Sequence, residues 1–470
     1  MNEVSSRKNR RIAILGGGPA GLAAAVTLVN AGVAQEGAVE LFEATGRLGG
    51  RAATFLDGPS GVTLDTCQHV LMGCCTATID FFTTLGLRDR FTVYDRYHFY
   101  DAAGKCHDFA ATRGLPAALH LLPGFWRLKY LKRSDRLRII RSLMRLRRLK
   151  HDACTGRTIG DWLRAEGHSR EACERFWAIV LTGALSETLD RASLQAARKV
   201  FVDGFLCTRD AYRLWVPREP LGEIFDRAVG AWLQERGIVL HRGLPVRRLV
   251  MKEKGTGSFF PDLCAIETSD GQTRPFDQII AAVPWHRFQR ILEVSPVARD
   301  EIIKPPGAGD RANGLEYSPI TAAHLWFDRP VSGLPHAVLV DQRGNWMFRP
   351  PWAEPNYAQV VISESRDMFG LDREARDAAV RQIAAELVRT VSDGKSPEPK
   401  LVRHHTITHP RAVFSVTPES DRCRPGFRTS IENLYLAGDW TATGWPSTIE
   451  GAIRSGKAAG SGPLLERGPA

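Results

Sequence analysis

The sequence contains no C-x-x-C pair among its nine cysteines and no N-x-S/T glycosylation acceptor. The scattered cysteines are typical of reduced thiols in a cytosolic protein and unlike a disulfide framework or a structural zinc site. Apart from residues 12–35, no uncharged run approaches the ~18 residues that a membrane-spanning helix needs. We therefore expect a cytoplasmic protein that is soluble or lies on a membrane surface.

Acidic residues are almost missing from residues 126–150, "WRLKYLKRSDRLRIIRSLMRLRRLK", which hold eleven Lys or Arg and one Asp (11 − 1 = +10). Since the whole chain carries +11, the rest of it is nearly neutral. The pattern predicts an amphipathic helix with a basic face of Arg138, Arg141, Arg145 and Arg148 and an apolar face of Leu137, Ile140, Leu143 and Met144, interrupted by Arg136 and Arg147.

Such a helix can lie on an anionic membrane, where each charge is worth about 1 kcal/mol near the headgroups. The alternative is a solvated basic face packed on the protein core. We favour a peripheral position on the inner face of the cell membrane. A nucleic-acid partner is not expected, because no helix-turn-helix, zinc finger or RNA-binding motif accompanies the charge.

A glycine-rich turn follows the first predicted strand, in "RRIAILGGGPAGLAAAVTLVNAG". Gly16, Gly18 and Gly21 give G-x-G-x-x-G, with Pro19 and Ala20 at the start of an alanine-rich helix. The first glycine permits the turn, the second lets a pyrophosphate approach the backbone, and the third lets the helix pack on the strand. This spacing explains the uncharged stretch better than the export signal that the preceding arginines suggest.

Glu43 ends the next predicted strand, 22 residues after Gly21 (43 − 21 = 22), close to the ~20 expected for an acid that bonds a ribose hydroxyl. It is followed by "GRLGGR" at residues 46–51. Many flavoproteins of the amine oxidase and phytoene desaturase superfamily carry E-x-x-x-R-x-G-G-R here, and this sequence resembles them at Glu43, Arg47, Gly49, Gly50 and Arg51. The resemblance implies that the arginines and the glycine backbone bind the pyrophosphate of FAD.

The last predicted strand, "NLYLAGDW", ends at Gly438 and Asp439. In the same superfamily a G-D pair reaches the flavin, so Asp439 is implied to bond its ribityl or pyrophosphate region. A helix starting near Thr448 and Ile449 would direct its positive N-terminus at the isoalloxazine ring. The G-x-x-x-x-G-K at residues 451–457 is not a P-loop, because it lies within a helix and Ala458 replaces the required Ser or Thr.

Two long insertions separate stretches that return to one nucleotide-binding fold. We expect an α/β protein: a Rossmann-like FAD-binding domain from residues 1–84, 213–291 and 424–470, with an inserted α+β substrate domain from residues 85–212 and 292–423. The superfamily pattern implies that Val246 contacts the adenine side through its backbone and that the strand containing Ala282 closes the FAD domain. For Val246, an ordinary core valine remains the alternative.

"LDTCQHVLMG", residues 64–73, narrows the resemblance. It is similar to D-x-G-Q-H-V-L-x-G in squalene-associated FAD-dependent desaturases, now understood as hydroxysqualene dehydroxylases. "ALSE", "LWFDRPVSGLPHAVLV" and "GDWTATGWPSTIEGAIRSG" also resemble that family, and the likeness covers residues 10–460. Cys67 stands where the family usually has glycine, and we expect it to be a small buried residue.

The resemblance implies FAD, contacted also by Gln68 and His69, and a C30 isoprenoid lipid, hydroxysqualene, reduced to squalene as a precursor of hopanoids and triterpenoids. We expect FAD to be bound noncovalently, because the C-terminal flavin motif contains no cysteine or histidine. Loss of the hydroxyl needs a proton donor, for which His69 is the first candidate and Asp65 the second. No second dinucleotide motif is present, so an external electron donor is expected. His404, His405 and His409 do not match a zinc protease, and no metal is expected.

Two other functions remain compatible with these motifs. A carotenoid or phytoene desaturase of the same fold would take hydride from a polyene instead of giving it to an alcohol. A prenyl-lipid binding protein of the same architecture would have no catalytic activity, although the intact flavin motifs argue against it. The sequence leaves the oligomeric state open.

Overall fold

A five-stranded parallel sheet forms the centre of the computed structural model, which describes residues 10–34, 37–58, 61–251, 263–295, 315–392 and 397–465. Numbered along the chain, its strands are β1 (Ile12–Leu15), β2 (Val39–Glu43), β10 (Val239–Arg242), β14 (Gln278–Ala281) and β20 (Leu434–Leu436), in the order β10-β2-β1-β14-β20. β1, β2, β14 and β20 are buried along their whole length, as short apolar strands of a sheet covered on both faces should be.

Two helices rich in small residues pack against each other beside this sheet: α1 (Pro19–Asn30) and α15 (Ile449–Leu465). A Cβ atom on Gly456 would lie 2.1 Å from the carbonyl oxygen of Ala20, and one on Gly460 would lie 2.8 Å from that of Ala24. The backbones therefore touch, and this close packing explains why the final helix contains so many glycines and alanines.

Smaller sheets surround the central one. The antiparallel pair β3 (Thr54–Asp57) and β4 (Val62–Asp65) precedes a three-stranded sheet of β5 (Leu71–Met72), β9 (Leu214–Pro217) and β6 (Phe91–Tyr94). Another three-stranded sheet consists of β11 (Val246–Met251), β12 (Leu263–Thr268) and β13 (Thr273–Pro275).

A seven-stranded sheet combines strands from both insertions, in the order β19-β15-β18-β17-β16-β7-β8. Its strands are β7 (Arg96–Tyr100), β8 (Cys106–Ala110), β15 (Tyr317–Phe327), β16 (His336–Leu339), β17 (Trp346–Phe348), β18 (Tyr357–Ser363) and β19 (Leu401–Phe414). The helix α13 (Arg373–Val391) packs its apolar face against this sheet. The fold is thus α/β with a second, sheet-containing unit, and the domain boundaries given above stay a prediction.

The remaining helices lie mostly in the first insertion. They are α2 (Thr76–Thr84), α3 (Leu122–Trp126), α4 (Arg133–Arg148), α5 (His151–Cys154), α6 (Ile159–Ala165), α7 (Arg170–Ala172), α8 (Ile179–Leu185), α9 (Leu194–Phe201), α10 (Gly230–Gln234), α11 (Trp285–Glu293), α12 (Arg366–Phe369) and α14 (Pro418–Cys423). A 3₁₀ turn covers Arg88–Arg90, and π-helical segments cover Cys173–Ala178, Val202–Leu206 and Glu223–Val229.

The side of α4 that is buried against the protein differs from the apolar face predicted from the sequence. Leu137 and Met144 are 59% and 37% exposed, whereas Arg136, predicted to interrupt the apolar face, is buried. The reason is a specific set of partners: the Arg136 guanidinium donates to the Trp126 carbonyl oxygen and stacks 4.6 Å from the Trp126 ring centroid. A paired guanidinium can be buried where hydrophobic periodicity alone predicts solvent exposure.

We predict that Gly456→Ala destabilises the protein by roughly 1–3 kcal/mol, because the added methyl group forces α1 and α15 apart. Urea unfolding followed by circular dichroism should show the lower midpoint. Gly370→Ala is the matched control, since nothing lies within 4 Å of the Cβ position there and the residue has right-handed backbone angles. Equal midpoints for the two variants would contradict the close packing of α1 on α15.

Candidate functional site

The carboxyl ends of neighbouring parallel strands carry most of the predicted cofactor residues. Glu43 ends β2, Gly16 follows β1, Ala282 follows β14, and Gly438 and Asp439 follow β20. These strands are adjacent in the sheet and run in the same direction, so the residues meet at one edge. Ligands of open α/β sheets bind at this edge.

The turn between β1 and α1 has the shape of a phosphate-binding loop. Gly16 adopts φ +108°, and a Cβ atom there would lie 2.8 Å from the Ala282 carbonyl oxygen. A Cβ on Gly21 would lie only 1.9 Å from the Gly16 carbonyl oxygen. At Gly18 the space is open, because the nearest atom to a Cβ would be the Cα of Gly50 at 3.9 Å. The first and third glycines are needed for packing, and the second leaves room for a ligand.

Glu43 fixes this loop from the neighbouring strand. Its Oε2 accepts a hydrogen bond from the Gly17 amide at 2.8 Å, and its Oε1 accepts one from the Thr45 amide at 2.8 Å. The Leu244 amide donates to the Glu43 carbonyl oxygen at 3.0 Å, which places the start of β11, at Val246, two residues away. The predicted contacts of Glu43 with ribose and of Val246 with adenine are compatible with this position and stay predictions.

The second glycine turn docks on the first. The Gly49 amide donates to the Gly17 carbonyl oxygen at 2.8 Å, so Gly50 faces Gly18. Arg47 donates to the Gly50 carbonyl oxygen at 3.3 Å and is partly exposed. The two turns therefore form one glycine-lined cradle, with the arginine held against its backbone.

Asp439 binds Arg51 across the site, with 2.5 Å between Arg51 Nη2 and Asp439 Oδ1. The Ser447 hydroxyl donates to the other carboxylate oxygen. Burial pushes the pKa of Asp439 upward, but the Arg51 charge and the hydrogen bonds from Ser447 and Arg51 outweigh it and hold the pKa below the ordinary value. Asp439 therefore stays ionised at neutral pH and holds Arg51 at the edge of the sheet.

Arg424 is a site residue that the sequence interpretation missed. Its guanidinium donates to the carbonyl oxygens of Asp439 (3.0 Å) and Thr441 and lies over the Phe414 ring. Burial lowers the pKa of Arg424 to about 10, opposed by the charges of Asp421 and Asp439, so the group is still charged at neutral pH. The only local signal in the sequence was an arginine followed by a proline shortly before the last strand. This pair of residues is too common to indicate a role.

The start of α15 leaves hydrogen-bond donors free. Thr448 Oγ1 accepts from the Gly451 amide at 3.1 Å, and the Gly438 amide donates to the Ser455 hydroxyl at 2.8 Å. Within the described part of the chain, no acceptor is found for the amides of Ile449 and Glu450. Helix N-terminal donors of this kind bind anions and oxygen acceptors. Together with the glycine cradle and Arg51, they fit a dinucleotide such as FAD.

The segment at residues 65–69 lies beside Arg51. His69 Nδ1 donates to the Cys67 carbonyl oxygen at 2.8 Å. Burial lowers the pKa of His69 to about 4; this hydrogen bond opposes the shift, while the charges of His409 and Arg51 add to it. His69 is therefore a neutral imidazole with an unprotonated Nε2. The Gln68 amide donates to Gln359 Oε1 on β18, which joins this segment to the seven-stranded sheet.

Asp65 accepts hydrogen bonds that hold β4 to neighbouring parts of the fold. Its Oδ1 accepts from the Thr54 hydroxyl at 2.7 Å and from the Leu221 amide at 2.9 Å. Burial raises its pKa to about 7, although both hydrogen bonds oppose the shift. Cys67, beside it, is only partly exposed, and burial followed by the Asp65 charge raises the pKa of its thiol to about 12, so it is not a reactive thiolate.

Several histidines outside this region contact other protein groups. His405 pairs with Asp57, and His324 Nδ1 lies 2.8 Å from the Tyr357 hydroxyl. In the described residues, one group, His98, Cys106 and Asp108, has ligand atoms within 4.8 Å of one another. The Arg96 guanidinium lies 2.6 Å from Asp108, however, and its positive charge opposes a cation there.

The chain belongs to the flavin containing amine oxidoreductase family, whose model matches residues 19–460. It is 27% identical to a hydroxysqualene dehydroxylase of Rhodopseudomonas palustris over 96% of this chain and 97% of that protein. It is 23% identical to the 15-cis-phytoene desaturase of Solanum lycopersicum, over 96% of this chain and 77% of that one. An oxidoreductase structure from Methanosarcina mazei has a TM-score of 0.70 at 15% identity, covering 95% and 99% of the two chains.

The family and the site agree on the cofactor: the protein is an FAD-dependent oxidoreductase. We predict that FAD is held by Gly18, the second glycine turn, Arg51, Asp439 and the start of α15. The individual contacts assigned to them, and the absence of a covalent link, stay predictions.

We predict that Glu43→Ala together with Asp439→Ala abolishes the yellow colour of the purified protein. The first change releases the Gly17 loop, and the second leaves Arg51 without its buried carboxylate partner. Flavin content is measured from the visible spectrum and from FAD released on denaturation. Glu235→Ala with Asp190→Ala removes two acidic groups that are each 71% exposed and should not change it. Unchanged flavin content in the first variant would contradict the site assignment.

Proposed function

We propose that the protein is an FAD-dependent hydroxysqualene dehydroxylase, which removes the hydroxyl group of hydroxysqualene and gives squalene. The observation that carries the proposal is the near full-length similarity to a protein of that name, combined with a D-x-x-Q-H segment beside the cofactor edge. The other described features are consistent with a lipid substrate and a redox cofactor.

The reaction requires cleavage of one C–O bond and formation of one C–H bond. The hydroxyl leaves as water after taking a proton, and the allylic carbon takes a hydride. Bound FAD would, in its reduced form, supply that hydride, and an external two-electron donor would have to reduce it again. The protein has to hold the allylic carbon near the cofactor, exclude water and deliver one proton.

An apolar wall lies next to the segment that contains His69. Val70, Met72 and Phe176 are partly buried against the core that includes Phe201, and Met72 Cε would lie 3.4 Å from a Cβ on Gly204. Phe176 and Phe201 stack, with ring centroids 5.8 Å apart. Gly204 lies in the π-helical segment Val202–Leu206, and π-helical turns often mark functional sites. We assign this wall to the isoprenoid chain.

His69 is the first candidate for the proton donor and Asp65 the second. His69 Nδ1–H is used by the Cys67 carbonyl, so only Nε2 can deliver a proton. Because burial holds its pKa near 4, an acid role requires that the bound reactants raise that pKa. Burial raises the pKa of Asp65 to about 7, but its Oδ1 is occupied by the Thr54 hydroxyl of β3 and by the Leu221 amide.

The similarity to a 15-cis-phytoene desaturase keeps one other function open. A desaturase would use the same cofactor edge and apolar wall, and it would transfer hydride in the opposite direction. The direction of hydride transfer therefore distinguishes the two functions.

We predict that the anaerobically reduced protein, mixed with hydroxysqualene in detergent, returns to the oxidised flavin spectrum and forms squalene. Stopped-flow absorbance and lipid analysis measure the two events. His69→Ala should slow this single turnover if His69 is the acid, and an unchanged rate would remove it from that role. Flavin that stays reduced with hydroxysqualene, while oxidised protein is bleached by a polyene, would instead establish the desaturase.

We also propose that the protein works on an anionic membrane surface, which α4 and α3 contact. Leu137 and Met144 emerge between the exposed arginines of α4, and Trp126, at the end of α3, is 42% exposed. Exposed apolar side chains among cationic ones suit the boundary between headgroups and acyl chains. None of the described helices is long and apolar enough to cross a membrane.

We predict that replacing Arg138, Arg141, Arg145 and Arg148 by Gln weakens binding to vesicles containing phosphatidylserine, since about 1 kcal/mol per charge is lost. Vesicle co-sedimentation measures binding, and the flavin spectrum should not change. The control replaces Arg227, Arg236, Arg248 and Arg329 by Gln, which removes the same charge from other surfaces. Undiminished binding of the α4 variant would identify the basic face as merely solvated.

A further inference from the structure

Glu450 is a fully buried carboxylate with four hydrogen-bond donors. It lies in the first turn of α15 and is 0% exposed. Its Oε2 accepts from the Thr78 amide (2.8 Å) and the Thr78 hydroxyl (2.7 Å), and its Oε1 accepts from the Ala77 amide (3.0 Å) and Arg454 Nε (2.7 Å). Such complete pairing of a buried charge requires that both helices be held in a fixed relation.

The carboxylate caps the N-terminus of a different helix. The N-cap residue of α2, Cys75, makes no side-chain capping bond, and Glu450 takes the donors that an N-cap side chain would satisfy. α2 follows β5, and β5 follows the segment containing Gln68 and His69. Glu450 therefore ties the start of α15 to the chain that leaves this segment.

The direction of the Glu450 side chain has a second effect. A carboxylate in the first turn of a helix often accepts bonds from its own helix amides. Here it is directed at α2, and the amides of Ile449 and Glu450 have no acceptor among the described residues. The free donors and the positive end of α15 thus stay available to a ligand at the cofactor edge.

We propose that Glu450 is a positioning residue for the flavin site: by capping α2, it fixes the N-terminus of α15 relative to the segment containing His69. A fixed helix N-terminus stabilises negative charge placed near it, so it favours binding of FAD and its reduction. The inference needs FAD at this edge and does not depend on which lipid is the substrate.

Glu450→Gln tests this role with little change in shape. One carboxylate oxygen becomes an NH₂ group that cannot accept from α2, so a buried donor loses its acceptor. We expect roughly tenfold weaker binding of FAD to the apoprotein and a more negative midpoint potential of the bound flavin. Fluorescence quenching during reconstitution measures the affinity, and equilibration with reference dyes measures the potential.

Lys457→Gln is the matched control. Lys457 pairs with Asp80 and so links the same two helices, but the pair is exposed and lies about two turns further along α15. It should leave FAD affinity and potential unchanged. Equal shifts in both variants, or a Glu450→Gln protein that loses thermal stability while both flavin properties stay as in the wild type, would overturn the proposal.

A milder variant covers the case in which Glu450→Gln does not fold. Thr78→Ala removes only the hydroxyl donor and keeps the amide bonds. It should shift the potential in the same direction by a smaller amount, and an unchanged potential would count against the positioning role. Because these readouts need no substrate, they fail or succeed independently of the dehydroxylase assignment.

Discussion

The parallel direction of β2, β1, β14 and β20 is the constraint on which the site depends. Parallel neighbours bring their carboxyl ends to one edge, so each strand delivers one component there: an acidic residue, a glycine turn, a small residue or a G-D pair. The chain between these strands only has to return to the sheet in the right place. That freedom allows two long insertions to form a second sheet without disturbing the cofactor edge.

The electrostatics of this edge favour an anionic ligand. Asp439 is bonded by the Arg51 guanidinium through its carboxylate and by the Arg424 guanidinium through its carbonyl oxygen, so two positive charges face one negative charge. The N-termini of α1 and α15 add partial positive charge. A pyrophosphate bound near these groups would be stabilised by their positive charge.

Local sequence patterns were sufficient to predict the fold class and the two glycine turns. Gly21 and Glu43 act through neighbours in the same βαβ unit, so their spacing encodes their roles. Arg424 and Ser447 act through contacts that no local pattern encodes, and Glu450 reaches a helix 372 residues away. The prediction of the buried face of α4 was wrong for a related reason. An arginine that has a hydrogen-bond acceptor and an aromatic ring as partners can be buried against the hydrophobic periodicity.

The Arg51–Asp439 pair joins residues 388 positions apart, and β20 covers the otherwise free edge of β14. During synthesis on the ribosome, about 150 further residues must be added after β14 before β20, which pairs with its edge, exists. An unpaired apolar strand of this kind is prone to wrong pairing and aggregation. Cofactor capture is therefore a late event in the biogenesis of this protein, and the newly made chain depends on protection of that edge until its last strand arrives.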